Sequence, residues 1–498
     1  MARNIQQKHK EIYEELKLFI ETCSTSPKSV QNYTDFKRIN ECIQEVLGNP
    51  EITILDITNP VEFAEIVKKL NNNERYRSYN RKGNNQYSSA VLNYQNFLFA
   101  RKFAASIKPQ NERLNFSNKS IQPHNTDDLS LSIENIVQSI LSTGLIYSPT
   151  LIKRLAYSLM AKPFVILSGL AGSGKTQLAL AFAKCLSENI EEQVCTVSIG
   201  ADWTNREPLL GYPNALKENE YVLPESGVLQ LLTRANEDPS KPYFLILDEM
   251  NLSVVERYFA DFLSAMESGE PIKLWDNEAG NVPKEIKLPK NVFIIGTINV
   301  DETTYMFSPK VLDRANVIEF KIAPDEMAKY LDKTKDIHLE NAYSACADMA
   351  ADFVNKAKSQ IQIDNADEKS VLLSFFTELK KVNAEFGYRT VNEISRYIHF
   401  VNENEDDKDK NDEKNRLKGD KAIDTAILQK LLPKLHGSRK KLVPVLTSMW
   451  QLCLKDGVSK EIDVEFNATD FKYPESAEKI QRMYHAVVDN GFTSFAEA

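Results

Sequence analysis

The arrangement of apolar and polar residues changes along the chain and predicts three kinds of segment. Up to about residue 120, apolar side chains recur at helical spacing, as at Ile12, Leu16 and Phe19. From about 131 to 322, short apolar runs alternate with helical patterns, which is typical of a parallel α/β sheet. Beyond that point the spacing is helical again. The pattern therefore predicts an α/β core with mainly α-helical parts on both sides of it.

Polar tracts suggest where these parts meet. Residues 111–130 hold few apolar side chains and predict a linker, and the charged tract at 402–420 predicts a disordered loop. We therefore expect a helical N-terminal domain at 1–110, an α/β core at 131–325, and a helical lid and C-terminal region at 326–498.

The segment between Lys68 and Lys108 has two interpretations. It is rich in Lys and Arg, Glu74 is its one acidic residue, and aromatic residues such as Tyr76 and Tyr94 are interleaved with the charges. A basic and aromatic module can bind nucleic acid through phosphates and base stacking. The same pattern fits a solvated helix face whose aromatic rings lie in the core. The sequence leaves both open.

Composition narrows the class of protein. A net charge of −9 over 498 residues argues against a protein that coats nucleic acid over its whole surface. The six cysteines are scattered and form no metal-binding pattern, which indicates reduced thiols. The sequence shows neither an export signal nor an apolar stretch of about 18 residues. We therefore expect a cytoplasmic protein without a membrane partner.

The stretch Gly169–Thr176 predicts a phosphate-binding loop. It follows a strand-like apolar run and precedes a helical one, a junction that directs backbone N–H groups and a helix N-terminus at an anion. We expect Lys175 to reach the β- and γ-phosphates and the Thr176 hydroxyl to ligate Mg²⁺. The candidate nucleotide-binding residues of the loop are Gly169, Gly172, Ser173, Gly174, Lys175 and Thr176.

Two later strands supply candidates for hydrolysis. One apolar run ends in Asp248 and Glu249, and another leads to Asn299. Asp248 can serve as a second Mg²⁺ ligand, Glu249 as the base or water-orienting group, and Asn299 as a hydrogen-bond partner of the attacking water. Arg314 follows at the end of a helical turn, where it is placed to reach the γ-phosphate of a neighbouring subunit.

In this order and spacing, the motifs resemble those of AAA+ NTPases. Over about residues 131–498 the chain further resembles the McrB-like branch, the motor subunits of modification-dependent restriction systems. The stretches that carry this narrower resemblance are 202–212, Asp248-Glu-Met-Asn251-Leu, Gly296-Thr-Ile-Asn299-Val-Asp-Glu-Thr, 386–394, 430–439 and 491–495.

The resemblance implies a role for each candidate. Asp248 and Glu249 match the Walker B pair, Asn299 matches sensor 1, and Arg314 matches an arginine finger that acts in trans. Arg389 or Arg396 matches the sensor-2 arginine of the lid, and Arg389 is favoured because it stands in Gly-Tyr-Arg at a helix start.

The sequence does not decide which nucleotide the site binds. McrB carries one carboxylate three residues after the sensor-1 asparagine, whereas here Asp301 and Glu302 offer two, and either can face the nucleotide. McrB prefers GTP, whereas ATP is the default of the wider AAA+ class, so the substrate is ATP or GTP with Mg²⁺ as cofactor.

The resemblance also implies an oligomeric assembly and partners. It implies a ring, expected to be a hexamer, an N-terminal domain that binds DNA, and a separate McrC-like nuclease subunit that cuts, since the chain shows no nuclease centre of its own. Two alternatives remain: an AAA+ protein of the MoxR or dynein-related kind that remodels a protein client, and an NTP-switched scaffold without turnover.

Overall fold

The computed structural model divides the chain into two compact units, Met1–His124 and Asn125–Ala498. In the first unit, the described residues are 12, 16, 36–47, 52–57, 63, 66–67, 69–70, 73, 75–78, 91 and 94. In the second, they are 131–498 except 218–219, 277–281, 301–304, 306, 323, 333–336, 360, 362–365, 406–416 and 418. The tract at 111–130 lies outside the described residues.

The first unit is described mainly through helical positions around a small apolar core. Helix α1 spans Lys37–Leu47, and a 3-10 turn follows at Ile54–Asp56. Tyr76 and Tyr94 are 2% and 0% exposed, so these two rings lie in the core and are not free to stack on bases. The other aromatic residues between 68 and 108 lie outside the described positions.

The second unit begins with helices packed around a five-stranded parallel sheet. In chain order its elements are α2 (Ile133–Leu141), α3 (Pro149–Ala161), β1 (Phe164–Gly169), α4 (Lys175–Cys185), α5 (Ile190–Gln193), β2 (Val194–Ser198), α6 (Glu207–Leu210), β3 (Tyr212–Pro213), β4 (Tyr221–Val222), α7 (Val228–Glu237), β5 (Tyr243–Asp248), α8 (Val255–Tyr258), α9 (Ala260–Ser268), β6 (Ile272–Lys273), β7 (Glu285–Ile286), β8 (Val292–Asn299), α10 (Pro309–Leu312) and β9 (Asn316–Phe320). The sheet order is β2-β5-β8-β1-β9, which confirms the predicted α/β class.

The register of the sheet decides which loops meet. The central strands β1 and β8 are buried along their whole length, as expected for a parallel sheet covered on both faces. Gly169 at the end of β1 pairs with Asn299 on one side and with Phe320 on the other. Asn316, at the start of β9, pairs with Val165. The segments after β1, β5 and β8 therefore share one edge of the sheet, and the segment before β9 lies at the opposite edge.

A mainly helical region follows and shares one continuous hydrophobic core with the sheet. Its elements are α11 (Pro324–Asp332), α12 (Ala350–Lys358), α13 (Ala366–Lys380), α14 (Tyr388–Asn404), α15 (Asp420–Ala426) with a π-helical extension at Ile427–Leu431 and a 3-10 turn at Leu432–Lys434, β10 (His436–Ser438), α16 (Arg439–Cys453), α17 (Pro474–Asn490) and β11 (Phe492–Ser494). Strands β10 and β11 pair antiparallel.

The described residues at the two ends of the charged tract 402–420 belong to helices or adjoin them. Its first residues belong to α14, and Glu405 is buried against the Lys153 ammonium at 3.1 Å. Residues 406–416 and 418 lie outside the described residues. None of the helices in the described stretches has the length and apolar character needed to span a bilayer.

Candidate functional site

The loop Gly169–Thr176 joins β1 to α4 at the carboxyl edge of the sheet. At Gly169 a Cβ atom would lie 2.8 Å from the Phe320 carbonyl oxygen of β9, so the neighbouring strand leaves no room for a side chain. Gly174 has φ of 90°, a left-handed conformation that favours glycine. The Tyr147 hydroxyl donates to the Gly174 carbonyl at 2.8 Å and holds the end of the loop. Burial raises the pKa of Tyr147, so this donor stays protonated.

Lys175 lies inside this loop. Its side chain is buried, and Nζ donates to the carbonyls of Gly169 at 3.0 Å and Leu170 at 2.6 Å. The Ser173 hydroxyl lies 3.4 Å from the same ammonium. The ammonium is thus fixed among backbone groups of the loop, where it can meet the phosphates of a nucleotide bound at the N-terminus of α4.

Asp248 is the centre of a hydrogen-bond network at the same edge. Its Oδ1 accepts from the Thr176 hydroxyl at 2.6 Å and from the Thr297 hydroxyl at 2.7 Å. The Thr297 oxygen also accepts the backbone N–H of Glu249 at 3.0 Å. We assigned no role to Thr297 from the sequence, although strand alternation places it on the same side of β8 as Asn299.

Glu249 and Asn299 are brought together beside this network. The Asn299 amide donates to Glu249 Oε1 at 3.2 Å, and the Asn251 amide donates to the Asn299 carbonyl at 3.0 Å. Glu249 has φ of 54°, a strained conformation for a residue with a side chain, and such strain often occurs at functional sites. Asp301 and Glu302 lie outside the described residues.

The oxygen atoms of this edge suit Mg²⁺. A threonine hydroxyl and one carboxylate, 2.6 Å apart, form the small set of hard ligands that Mg²⁺ takes from a protein when phosphates and water complete its shell. Among the described residues, no three His, Cys, Asp or Glu side chains form a group that would hold a metal without such help. Thr176 and Asp248 therefore fit a metal that arrives with a nucleotide.

A cavity of about 720 Å³ opens beside the phosphate loop, within the usual range for small-molecule sites. Gly172–Gly174 and Tyr147 line one side, and Asp424 and Leu428 of the helical region line another. The Asp424 carboxylate accepts two backbone N–H groups at the start of α17, both at 2.8 Å. Burial, reinforced by the nearby Glu475, raises the pKa of Asp424 to about 7. The cavity can hold a nucleotide between the sheet and the helical region.

Arg314 lies far from this cavity in its own chain. It precedes β9 at the opposite edge of the sheet, so the length of that strand, about 13 Å, separates it from the phosphate loop. Its Nε donates to the Leu263 carbonyl at 2.9 Å, and its guanidinium pairs with Glu267.

Arg389 lies beside Arg314 rather than at the cavity. It pairs with the same carboxylate, Glu267, at 3.0 Å, and together with Arg314 it holds the pKa of Glu267 below its usual value. Arg396 donates to the Ala161 and Ala357 carbonyls and so joins the ends of two helices. Neither candidate therefore occupies the expected sensor-2 position against the cavity of its own chain.

Among the described residues, the arginine that lines the cavity is Arg154, on α3, where it pairs with Glu475 of α17. No motif marked it, because it reaches the cavity only through the packing of α3 against the helical region.

Comparisons with known proteins add three findings. Residues 328–492 match a family described as a domain of unknown function, DUF8727. A region of 189 residues is 26% identical to the McrB subunit of the type IV methyl-directed restriction enzyme of Escherichia coli (strain K12). That region covers 37% of this chain and 39% of the relative, so the chain matches less than half of that protein.

Two solved structures are also similar. A candidate ATPase from Cytophaga hutchinsonii shares 15% identity over 60% of this chain and 86% of its own, with a TM-score of 0.42. NtrX from Brucella abortus in complex with ATP shares 15% identity over 63% of this chain and 72% of its own, with a TM-score of 0.24. At these TM-scores neither structure bears on the function of this chain.

Proposed function

We propose that this chain, which is similar over part of its length to the McrB subunit, is an NTPase of the AAA+ type and hydrolyses a nucleoside triphosphate, ATP or GTP. One observation carries the proposal: Thr176, Asp248, Glu249, Thr297 and Asn299 are joined by hydrogen bonds at a single sheet edge, directly beside the phosphate loop. A cavity large enough for a nucleotide adjoins them.

In this proposal each group has one task. The loop Gly169–Thr176 binds the phosphates, with Lys175 on the β- and γ-phosphates. Thr176 and Asp248 would hold Mg²⁺, which would neutralise charge on the phosphates. The Glu249 carboxylate orients the attacking water and accepts its proton, and the Asn299 amide, which already contacts Glu249, fixes the position of both.

We propose that a second copy of the chain completes the site. Since Arg314 lies at the opposite edge of the sheet, it cannot complete the site of its own subunit, and we propose that it enters the site of a neighbour in a ring, expected to be a hexamer. Arg389 shares the Glu267 carboxylate with Arg314, so we propose that it too serves the neighbouring site. Glu267 would hold both cations until the neighbour's γ-phosphate competes for them.

Glu249→Gln tests the hydrolytic role. The amide keeps the size of the side chain but cannot accept a proton, so the variant should bind a fluorescent ATP or GTP analogue with unchanged Kd and release almost no phosphate. Glu237→Gln, an exposed change at the end of α7, is the matched control and should hydrolyse normally. Equal phosphate release by the two variants would contradict the assignment, and the two analogues compared on wild type give the preferred purine.

We further propose that turnover drives DNA translocation for a separate, McrC-like nuclease. Support comes from the McrB relative, a subunit of a methyl-directed restriction enzyme. The division of labour follows the sequence, with a DNA-binding module at 1–110, a linker at 111–130, the motor core at 131–325 and the lid at 326–498. Methylated duplex DNA should then accelerate phosphate release by the full chain, and the effect should weaken steeply with salt. Turnover indifferent to DNA at low salt would refute this part of the proposal.

A further inference from the structure

Lys430 is a buried cation that holds the segment around Arg314 from the helical region. Its side chain is 2% exposed, and Nζ donates to the carbonyls of Asp313 at 3.1 Å and Ala315 at 2.8 Å. These are the two residues that flank Arg314 in the chain. The side chain of Arg314 is held separately, by the Leu263 carbonyl and by Glu267.

Burying the Lys430 ammonium costs free energy of folding, which points to a role other than stabilising the fold. Burial lowers the pKa of Lys430, and the Glu393 carboxylate, 2.6 Å away, opposes that shift. Glu393 also pairs with Lys162 at 2.8 Å. A buried ion pair adds little net stability compared with a well-packed apolar pair, because both charges lose their hydration. A methionine would fill the space at Lys430, but it could not bond the two carbonyls.

The helix that carries Lys430 also reaches the nucleotide cavity. Lys421, Asp424 and Leu428 of the same continuous helix line that cavity, and Lys430 follows one half-turn later, within the π-helical extension. Single π-helical turns inside an α-helix are frequent at functional sites. One rigid element therefore contacts both the nucleotide cavity of a subunit and the segment that bears its arginine finger.

We infer that Lys430 is a positioning residue for Arg314. By bonding the carbonyls on both sides of Arg314, it fixes the position of the finger segment, residues 313–315, from which the guanidinium enters the neighbouring site. The inference rests on the proposed function, in which Arg314 acts in trans. We expect a subunit without Lys430 to keep the groups around Asp248, because Lys430 bonds none of them, and Glu393 to keep its pair with Lys162. The change should act on the Arg314 segment, which loses the bonds of Lys430 to the Asp313 and Ala315 carbonyls.

Lys430→Met is the first test, with Lys162→Met as the matched control, because both lysines pair with Glu393 and only Lys430 reaches the finger segment. A displacement of about 1 Å in a catalytic group costs roughly 100-fold in rate. Lys430→Met should therefore lose kcat by about that factor with KM and nucleotide Kd unchanged, whereas Lys162→Met should keep most of its kcat. Equal turnover by the two variants would overturn the inference.

Mixed assemblies separate positioning from a general structural defect. Glu249→Gln subunits have no hydrolysis of their own but present an intact finger, so an excess of them should restore turnover to Lys430→Met subunits. Arg314→Ala subunits present no finger and should not restore it. Absence of rescue by Glu249→Gln, with nucleotide binding intact, would refute the inference.

Two outcomes point elsewhere and remain distinguishable. Full turnover by Arg314→Ala alone would contradict the proposed trans role and, with it, the basis of the inference. Loss of nucleotide binding by Lys430→Met would show a folding defect. In that case Lys430→Gln, which keeps a donor for one carbonyl, replaces it in the mixing experiment. Rescue of Lys430→Gln by Glu249→Gln subunits would support positioning, and absence of rescue would refute it.

Discussion

Alanine at Gly172 and at Gly174 should destabilise the phosphate loop by different amounts. Both glycines have left-handed φ, 72° and 90°. A methyl group at Gly172 meets nothing within 4 Å, whereas at Gly174 it would lie 2.8 Å from the Tyr147 hydroxyl oxygen. Gly172→Ala therefore measures backbone strain alone, and Gly174→Ala measures strain together with the displacement of Tyr147.

The geometry sets the expected free energies of unfolding. A left-handed φ costs a residue with a side chain about 1 to 2 kcal/mol. At Gly174, the displaced Tyr147 also loses its hydrogen bond to the Gly174 carbonyl, about 1 kcal/mol more. Tyr147→Phe alone should cost about 1 kcal/mol. Since that bond can be lost only once, Gly174→Ala and Tyr147→Phe should couple by about 1 kcal/mol, whereas Gly172→Ala and Tyr147→Phe should be additive.

Urea unfolding followed by tryptophan fluorescence gives these values. The three tryptophans, Trp203, Trp275 and Trp450, all lie in the second unit, so the signal reports the unit that contains the loop. Measurement without nucleotide excludes effects of the methyl groups on phosphate binding. If Gly174→Ala and Gly172→Ala are both additive with Tyr147→Phe, the Tyr147 hydroxyl does not hold the loop and the reasoning is wrong.

Three further outcomes test other parts of the site. Thr297→Ala removes the hydroxyl shared by Asp248 and Glu249, so phosphate release should fall roughly tenfold with nucleotide Kd unchanged, and Thr297→Ser should restore it. Arg389→Ala should lower turnover without weakening nucleotide binding; a several-fold rise in Kd would instead place Arg389 at its own cavity. Burial alone would raise the pKa of Glu319, but Lys479 and Arg482 hold it below its usual value. The stabilisation of the fold by these ion pairs is therefore present above the ordinary carboxyl pKa and lost in acid. The difference in urea midpoint between wild type and Glu319→Gln should therefore shrink from about pH 5 to about pH 3.

Those parts of the site that depend on local sequence were predictable. The phosphate loop and the residues that follow β5 and β8 could be placed together, because the carboxyl ends of parallel strands share one edge of a sheet. The structure brings Lys175, Thr176, Asp248, Glu249 and Asn299 to that edge. Thr297 follows from the same rule, because strand alternation places it on the same face of β8 as Asn299, two residues later.

The walls of the cavity were not predictable in the same way. Helical spacing shows that a helix has an apolar face, but it does not show which neighbour that face meets. Asp424 reaches the cavity because α15 packs beside α17, whereas Arg389, at the start of α14, meets Glu267 near the end of α9. Tyr147 carries no motif at all, and only its contact with Gly174 identifies it.

The direction of the strands has a consequence for how subunits influence one another. Because β9 runs parallel to β1, the phosphate loop and Arg314 lie at opposite edges of one sheet, and in the proposed assembly a complete site would take one edge from each of two copies. The helix from Asp420 to Lys434 bridges both edges within a subunit, since Lys421 lines the cavity and Lys430 bonds the finger segment. Packed helices shift as rigid bodies between discrete arrangements rather than deforming gradually. If Arg314 acts in trans as proposed, a nucleotide that moves this helix in one subunit should also move the arginine offered to the neighbour, through Lys430 and through Lys434, which pairs with Asp313.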